Sequence, residues 1–550
     1  MLTLKRLYLY AVLGISLAVL VTGLYDVVRI AFDQLGDAFG STPAYSEDLR
    51  SELSWALALF IVSAPVFAVH LGLVRRSLRG PARQVADERA CASRATYFFL
   101  VLAAAAVFAG GQLIELVDTV LGTVAFGERP WGLAASAAAV VVGGGTWLAH
   151  LWARRRDLRE AAGRTAGDWL TRAYLYGALF ITALATCFGA GNLLTTVGRG
   201  ILDLQPAWSD PAWWRDDLTV AVGITTVAAA AWAGHWVLGS GLLRADPPMG
   251  EAHRASRTRA GYFGAVVAVS AAAVLVLVAM GLRSLFTAAT GTAAPLTESR
   301  LIEEVAGPLL LAVPYLVAWW WHLRRLTAEA LAFGGPVHAQ AARRAGRLVV
   351  SFVGLAGFSV GVAWELQSLL DAIASAGQDT LFSSAEAGEV TASALATALV
   401  GLALWAPAWI LSQRERAREV VVVATSAARR AYLFLVSGVA VVALMGALAF
   451  VIYQATRMVL GTELIDDASW ALAVLIVAAV ALAYHLYCLR ADLLVARTVA
   501  PPEPHAEDAG RAVETIEISA PEGADFKVLN AAIRTELPEG YELRVVSHQP

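Results

Sequence analysis

Five histidines, His70, His150, His235, His322 and His485, close apolar stretches of this 550-residue chain, each shortly before a cluster of arginines. Imidazoles held at one depth of a membrane could bind haem, bind a metal ion or pass protons. The plainer reading sets them at a membrane surface beside Trp152, Trp236, Trp319, Trp320, Trp321 and Tyr484. That zone favours side chains with an apolar body and a polar tip. A buried ligand set needs a facing group of donors, and the apolar stretches alternating with these carry no histidine. The surface reading is preferred, and no metal or other cofactor is expected.

A second set is Asp26, Glu115 and Glu365, with Gln112, Asn192, Arg283, Gln367 and Gln454. An ionisable group within a membrane span is a functional-site hypothesis by default. Depth tempers it: Glu115 stands 21 residues after Arg94 and Glu365 stands 18 after Arg347. At about 1.5 Å per residue these carboxylates lie roughly 27–32 Å from the arginine-rich boundary, close to the opposite surface. They are expected at the outer helix ends. The sharper alternative is an outward-opening polar vestibule to which Asp26, Glu115 and Glu365 lend negative charge. The chain has no Walker loop, no GxGxxG after a strand, no HExxH and no GxSxG, so no enzymatic activity is expected.

The elements that must carry these residues follow from composition. Hydrophobic residues make up 58% of the chain, charged residues 16%, and the mean hydropathy is +0.61. Soluble domains carry about 45–50% apolar and about 25% charged residues. A soluble protein of this length could not hide the excess, which must face lipid. The net charge of −3 gives no reason to expect a nucleic-acid partner. Cys91, Cys187 and Cys488 form no CxxC pair, so no disulfide framework is expected. The first apolar stretch, Leu7 to Val28, is too long for a signal-peptide core and reads as an uncleaved first span.

Spans of about 20 apolar residues begin near Leu7, Leu53, Ala95, Trp131, Ala173, Leu218, Gly261, Val305, Leu348, Ala392, Ala431 and Ser469. Connections after even-numbered spans hold 26 arginines against 10 acidic residues, and those after odd-numbered spans 7 against 20. Cytoplasmic loops retain Arg and Lys, so the arginine-rich side is inside, and both termini with it.

An arginine followed by aromatics opens nearly every odd span: Arg6-Leu-Tyr8-Leu-Tyr10, Arg94-Ala-Thr-Tyr97, Arg172-Ala-Tyr174-Leu-Tyr176, Arg259-Ala-Gly-Tyr262 and Arg430-Ala-Tyr432-Leu-Phe434. Arg347-Leu-Val-Val-Ser-Phe352 is a weaker copy, and Trp409 replaces the closing histidine of the fifth unit. Two markers in one phase define a repeat. The expected fold is an all-α membrane protein of about twelve transmembrane helices in six parallel two-helix repeats, with a small cytoplasmic α+β tail. Residues 1–158, 168–330 and 343–498 form three repeat pairs, 499–512 a Pro-rich linker, and 513–550 a β-α-β tail.

The Arg-x-Tyr-Leu-Tyr openings, helix ends such as Gly23-Leu-Tyr-Asp-Val-Val-Arg29, and the closing histidines resemble a bacterial membrane family. It is the one catalogued as domain of unknown function 5671, which recurs in tandem along single chains. The resemblance covers roughly residues 1–495, as three four-helix copies, and excludes the tail. It implies a multi-helix membrane fold and no established activity, so it assigns no functional residues.

Three functions fit. A membrane scaffold or sensor would use the tail, net −6 over residues 501–550, to meet a cytosolic protein partner. A small-solute transporter or channel would be built around the repeat axis, although transporters place polar sites near the midplane and here the midplane is apolar. A redox protein would use the histidines. The first reading is favoured, with the lipid bilayer as the constant partner.

Overall fold

The computed structural model describes residues 2–38, 46–130, 132–160, 168–201, 213–245, 249–292, 297, 300, 302–374, 384–459 and 468–499. The chain divides into Met1–Arg497 and Thr498–Pro550. The linker from residue 500 onward and the expected strand-helix-strand tail lie outside the described residues.

All regular structure among the described residues is helical. The long helices are α1 (Leu2–Ala38), α2 (Ser46–Ser77), α4 (Ala92–Phe126), α5 (Leu133–Glu160), α6 (Asp168–Ile201), α7 (Trp213–Leu243), α9 (Arg257–Thr290), α10 (Gly307–Ala374), α11 (Ser384–Arg418), α13 (Ala427–Val459) and α14 (Ser469–Val499). Short helices α3 (Ala82–Ala90), α8 (Met249–Arg254) and α12 (Val420–Ala424) precede α4, α9 and α13, and a π turn, Ile302–Ala306, leads into α10.

Among the described residues, eleven helices are long and apolar enough to cross a membrane. Apart from the 72-residue stretch Glu303–Ala374 they run 26 to 41 residues, longer than the apolar runs within them. The extra turns are polar and rich in good helix formers, as in the Ala153-Arg-Arg-Arg-Asp-Leu-Arg-Glu160 end of α5. Such residues continue the backbone ladder past the hydrocarbon core at little cost.

Helix α10 merges two expected spans. A straight helix of its 68 residues would reach about 100 Å. It does not stay straight: Gly335 has φ 73° and ψ −171°, and Pro336 follows. Only glycine adopts that conformation cheaply, and proline removes a helical donor. Leu323, before the bend, packs against Gly346, after it, so the two arms fold back on each other. The connection expected as a loop between Arg324 and Arg347 is therefore helical except at Gly335, because Leu-Thr-Ala-Glu-Ala-Leu-Ala and Ala-Gln-Ala-Ala-Arg-Arg are strong helix formers.

Helices overlap in a regular order. Helix α5 packs on α4 and also on α1, α7 on α6 and α4, α10 on α9 and α6, and α11 on α10 and α9. Aromatic and branched residues fill these seams. Tyr10, Leu13 and Leu17 of α1 join Val74 of α2, Tyr97 and Phe98 of α4, and Tyr174 of α6 in one cluster. Glycine sets some approaches: a Cβ on Gly189 would stand 2.8 Å from the backbone nitrogen of Thr225. Around Gly110, Gly111, Gly144 and Gly145 a Cβ would meet nothing within 4 Å, so no close approach depends on them. The outward faces are apolar, with Val62 and Val442 each 69% exposed, as lipid contact requires.

Candidate functional site

The two sequence markers meet in space at the arginine-rich helix ends. His150 Nδ1 lies 2.7 Å from the Thr146 carbonyl, and His235, His322, His485 and His70 make the same contact one turn back. A carbonyl oxygen only accepts, so each Nδ1 carries the proton and each Nε2 presents a lone pair. Tyr97, Tyr174 and Tyr262 donate to the Nε2 of His150, His235 and His322 at 2.8, 3.2 and 2.8 Å. Tyr8 packs beside His70 and Tyr432 beside His485, with ring centroids 6.0 and 5.9 Å apart. The five histidines thus form five separate pairs with tyrosines that open odd spans, and they do not converge on one centre. Among the described residues no group of three or more His, Cys, Asp and Glu is arranged to hold a metal ion.

Beneath three of these pairs lies a buried ion pair. Asp157, Glu329 and Asp492 each stand seven residues after a histidine, on the same helix. Two turns of helix place them under the ring at the polar end. Arg94 Nε donates to Asp157 at 2.6 Å and Arg429 Nε to Asp492 at 2.6 Å, while Arg259 pairs with Glu329. Each carboxylate holds a second arginine: Arg89 at 3.7 Å, Arg325 at 2.9 Å and Arg416 at 2.5 Å, respectively. Arg94, Arg259 and Arg429 each stand three residues before the paired tyrosine. They reach across to the preceding odd span as well, Arg94 to the Tyr10 hydroxyl at 3.0 Å and Arg259 to the Tyr176 hydroxyl at 3.2 Å. In the third constellation Ser351 holds that place and donates to Tyr432 at 3.2 Å.

Aromatic faces complete each arginine's surroundings. The Arg94 guanidinium lies 5.2 Å from the Phe98 ring and that of Arg259 5.1 Å from Phe263. At the matching position the third constellation has Leu433, and Arg429 lies 5.2 Å from Trp409 instead. That contact accounts for Trp409 standing where the other units have histidine. Asp157 is 4% exposed and Asp492 not at all. Two charges so buried are tolerated because each carboxylate is doubly paired, and removing one partner would leave the other costly. Cys91 begins α4 next to the first constellation, and burial pushes its thiol above the ordinary value.

The sequence reading placed the sixth opening arginine at Arg430, but Arg429 carries the ion pair and is 1% exposed, whereas Arg430 bonds the Thr425 carbonyl at 2.9 Å. It missed the three carboxylates, of which Asp157 and Glu329 were counted as loop charges and Asp492 fell in no counted connection. Their constant interval after the histidine was the available signal. It also missed Glu88, which is buried in α3 and accepts from Arg6 at 2.8 Å and Tyr10 at 2.7 Å.

The outer set is dispersed. Asp26 and Glu365 are half-buried and Glu115 is exposed. No hydrogen bond or ion pair among the described residues joins the three. Helix α4 runs on from Glu115 to Phe126, and α10 from Glu365 to Ala374, so these carboxylates stand within helices rather than at their ends.

Long apolar helices with buried, ion-paired polar ends define a multi-pass α-helical membrane protein. The chain belongs to the family described as Domain of unknown function (DUF5671), which matches residues 6–130, 123–210, 172–317 and 344–484 in tandem. No curated protein and no solved structure matches it.

Proposed function

We propose that this protein is a scaffold or sensor of a bacterial cytoplasmic membrane that holds its acidic carboxy-terminal segment toward a cytosolic protein partner. The chain crosses the bilayer twelve times, α10 contributing two crossings, in six parallel two-helix units with both termini inside. Of the four family matches, those at residues 6–130, 172–317 and 344–484 fall one in each of three four-helix copies, and the fourth, 123–210, overlaps the first two. The observation that carries the functional reading is the layer of buried Arg–carboxylate pairs, Arg94–Asp157, Arg259–Glu329 and Arg429–Asp492. Charges spent on locking helix ends together suit a rigid platform better than a moving gate. Affinity purification of the full chain from membranes, beside a chain ending at residue 498, tests it. A cytosolic protein retained by the first and lost by the second is expected, and identical sets of co-purified proteins would sink the reading.

One observation favours a solute path opening outward. Glu365 Oε2 is buried with no hydrogen-bond partner among the described residues, which is costly unless another group meets it. Uptake into proteoliposomes that Glu365→Gln abolishes would replace the scaffold reading.

A further inference from the structure

The first and third constellations differ at one position that controls an arginine. Glu88 stands six residues before Arg94, and Val423 stands six before Arg429. Each lies in the short helix that precedes the span, α3 or α12, and each is buried. In the first constellation Glu88 takes both the Arg6 Nε–H and the Tyr10 hydroxyl. Arg347 and Ser351 keep the four-residue spacing of Arg6 and Tyr10, but the residue matching Glu88 is a valine, which lines one cavity with Arg347. The Arg347 Nε is buried without a hydrogen-bond partner among the described residues, an arrangement that calls for an explanation.

Beside it is a cavity of about 10 Å³ whose lining includes Arg344, Arg347, Arg429, Glu415, Val423 and Ser426. That is room for one oxygen-sized group. Glu415 accepts from Arg344 at 2.7 Å and also pairs with Arg347, Glu419 takes a second bond from Arg344 at 2.5 Å, and Asp492 pairs with Arg429 and Arg416, so four arginines meet three carboxylates and the cluster keeps one positive charge over. Ser426 directly precedes the 33-residue helix α13, whose amino-terminal dipole adds to the positive field.

We propose that this cavity receives one oxygen of a phosphate group, supplied by the headgroup of an acidic phospholipid, where the first constellation uses the Glu88 carboxylate. Free phosphate offers the same chemistry. The lipid is favoured because Val420, Val421 and Val422, next to Val423 on α12, are 40%, 44% and 54% exposed. They present an apolar surface at the depth of the arginine-rich helix ends, where acyl chains begin. The inference rests on the membrane reading above, with this end of the helices at headgroup level.

Thermal unfolding of the full chain in a neutral detergent tests it, with phosphatidylglycerol, phosphatidylcholine or inorganic phosphate added. Phosphatidylglycerol is expected to raise the Tm by several degrees, while the other two leave it unchanged. Val423→Glu, which supplies the carboxylate from within, and Arg347→Gln, which removes the unpaired donor, should each abolish that rise. Circular dichroism of both variants confirms that they remain folded, and the second keeps the test alive if the first does not. A rise with inorganic phosphate that equals the lipid effect and is lost in both variants would overturn the lipid as the source. No rise in the wild-type chain, or one that persists in both variants, would overturn the site. Recovery of wild-type protein from the soluble fraction without detergent would instead overturn the membrane reading.

Discussion

Arg94 and Asp157, 63 residues apart in the chain, meet at 2.6 Å in a place where neither is more than 6% exposed. The pair ties α4 to α5 at their polar ends, and Arg94 extends the tie to α1 through the Tyr10 hydroxyl. Asp157→Ala leaves a buried guanidinium short of its main partner and is expected to destabilise the protein by about 3–5 kcal/mol. The double change Arg94→Met with Asp157→Leu removes both charges and should recover most of that loss. Thermal unfolding in detergent compares the two, and a double variant no better than the single would refute the account.

The tyrosine–histidine pairs predict a contrast between two constellations. Tyr262 donates to His322, whereas the buried His485 Nε2 has no hydrogen-bond partner among the described residues. A double-mutant cycle of Tyr262→Phe with His322→Phe should show a coupling of about 0.5–1.5 kcal/mol. The cycle of Tyr432→Phe with His485→Phe should show little. Equal couplings would mean that the two pairs are alike.

Folding back of α10 depends on Gly335, at φ 73°. Gly335→Val is expected to cost more than about 1 kcal/mol, since a branched residue is strained in that conformation. Gly334→Ala provides no control, because its Cβ would collide with His338. Gly144→Ala, in open surroundings, serves instead and should leave the Tm unchanged. A Gly335→Val protein as stable as the Gly144→Ala protein would show that the bend tolerates a side chain.

Orientation is open to chemical labelling. In a background without Cys91, Cys187 and Cys488, a cysteine at Glu128 should react with a membrane-impermeant maleimide on intact cells. A cysteine at Gly80, in the arginine-rich connection before α3, should react only after permeabilisation. The reverse pattern would invert the topology.

Hydropathy alone carried the sequence reading to the membrane class, since an apolar run of span length has few other fates. The expected Arg–His repeat was legible as two markers, and their physical meaning lay in contacts across 50 to 80 residues that no local pattern reveals. Asp157 and Glu329 looked like ordinary charges in basic connections because a one-dimensional census does not register burial. Arg430 was chosen over Arg429 because two spacings alternate along the chain. Arg-x-Tyr opens the first and third units, whereas Arg-x-x-Tyr opens the second, fourth and sixth. The turn between the two arms of α10 was expected, but the helical character of the connection was missed although its composition favours helix.

The overlap of α5, α7 and α11 with two earlier helices each bears on how the chain is made. Helix α5 rests on α4 and α1, α7 on α6 and α4, and α11 on α10 and α9. These three grooves are therefore lined by segments already synthesised when their occupants emerge from the ribosome. For them assembly can proceed in the order of translation, without waiting on a later helix for a seat. A ribosome-stalled chain should then be packed up to its last completed pair.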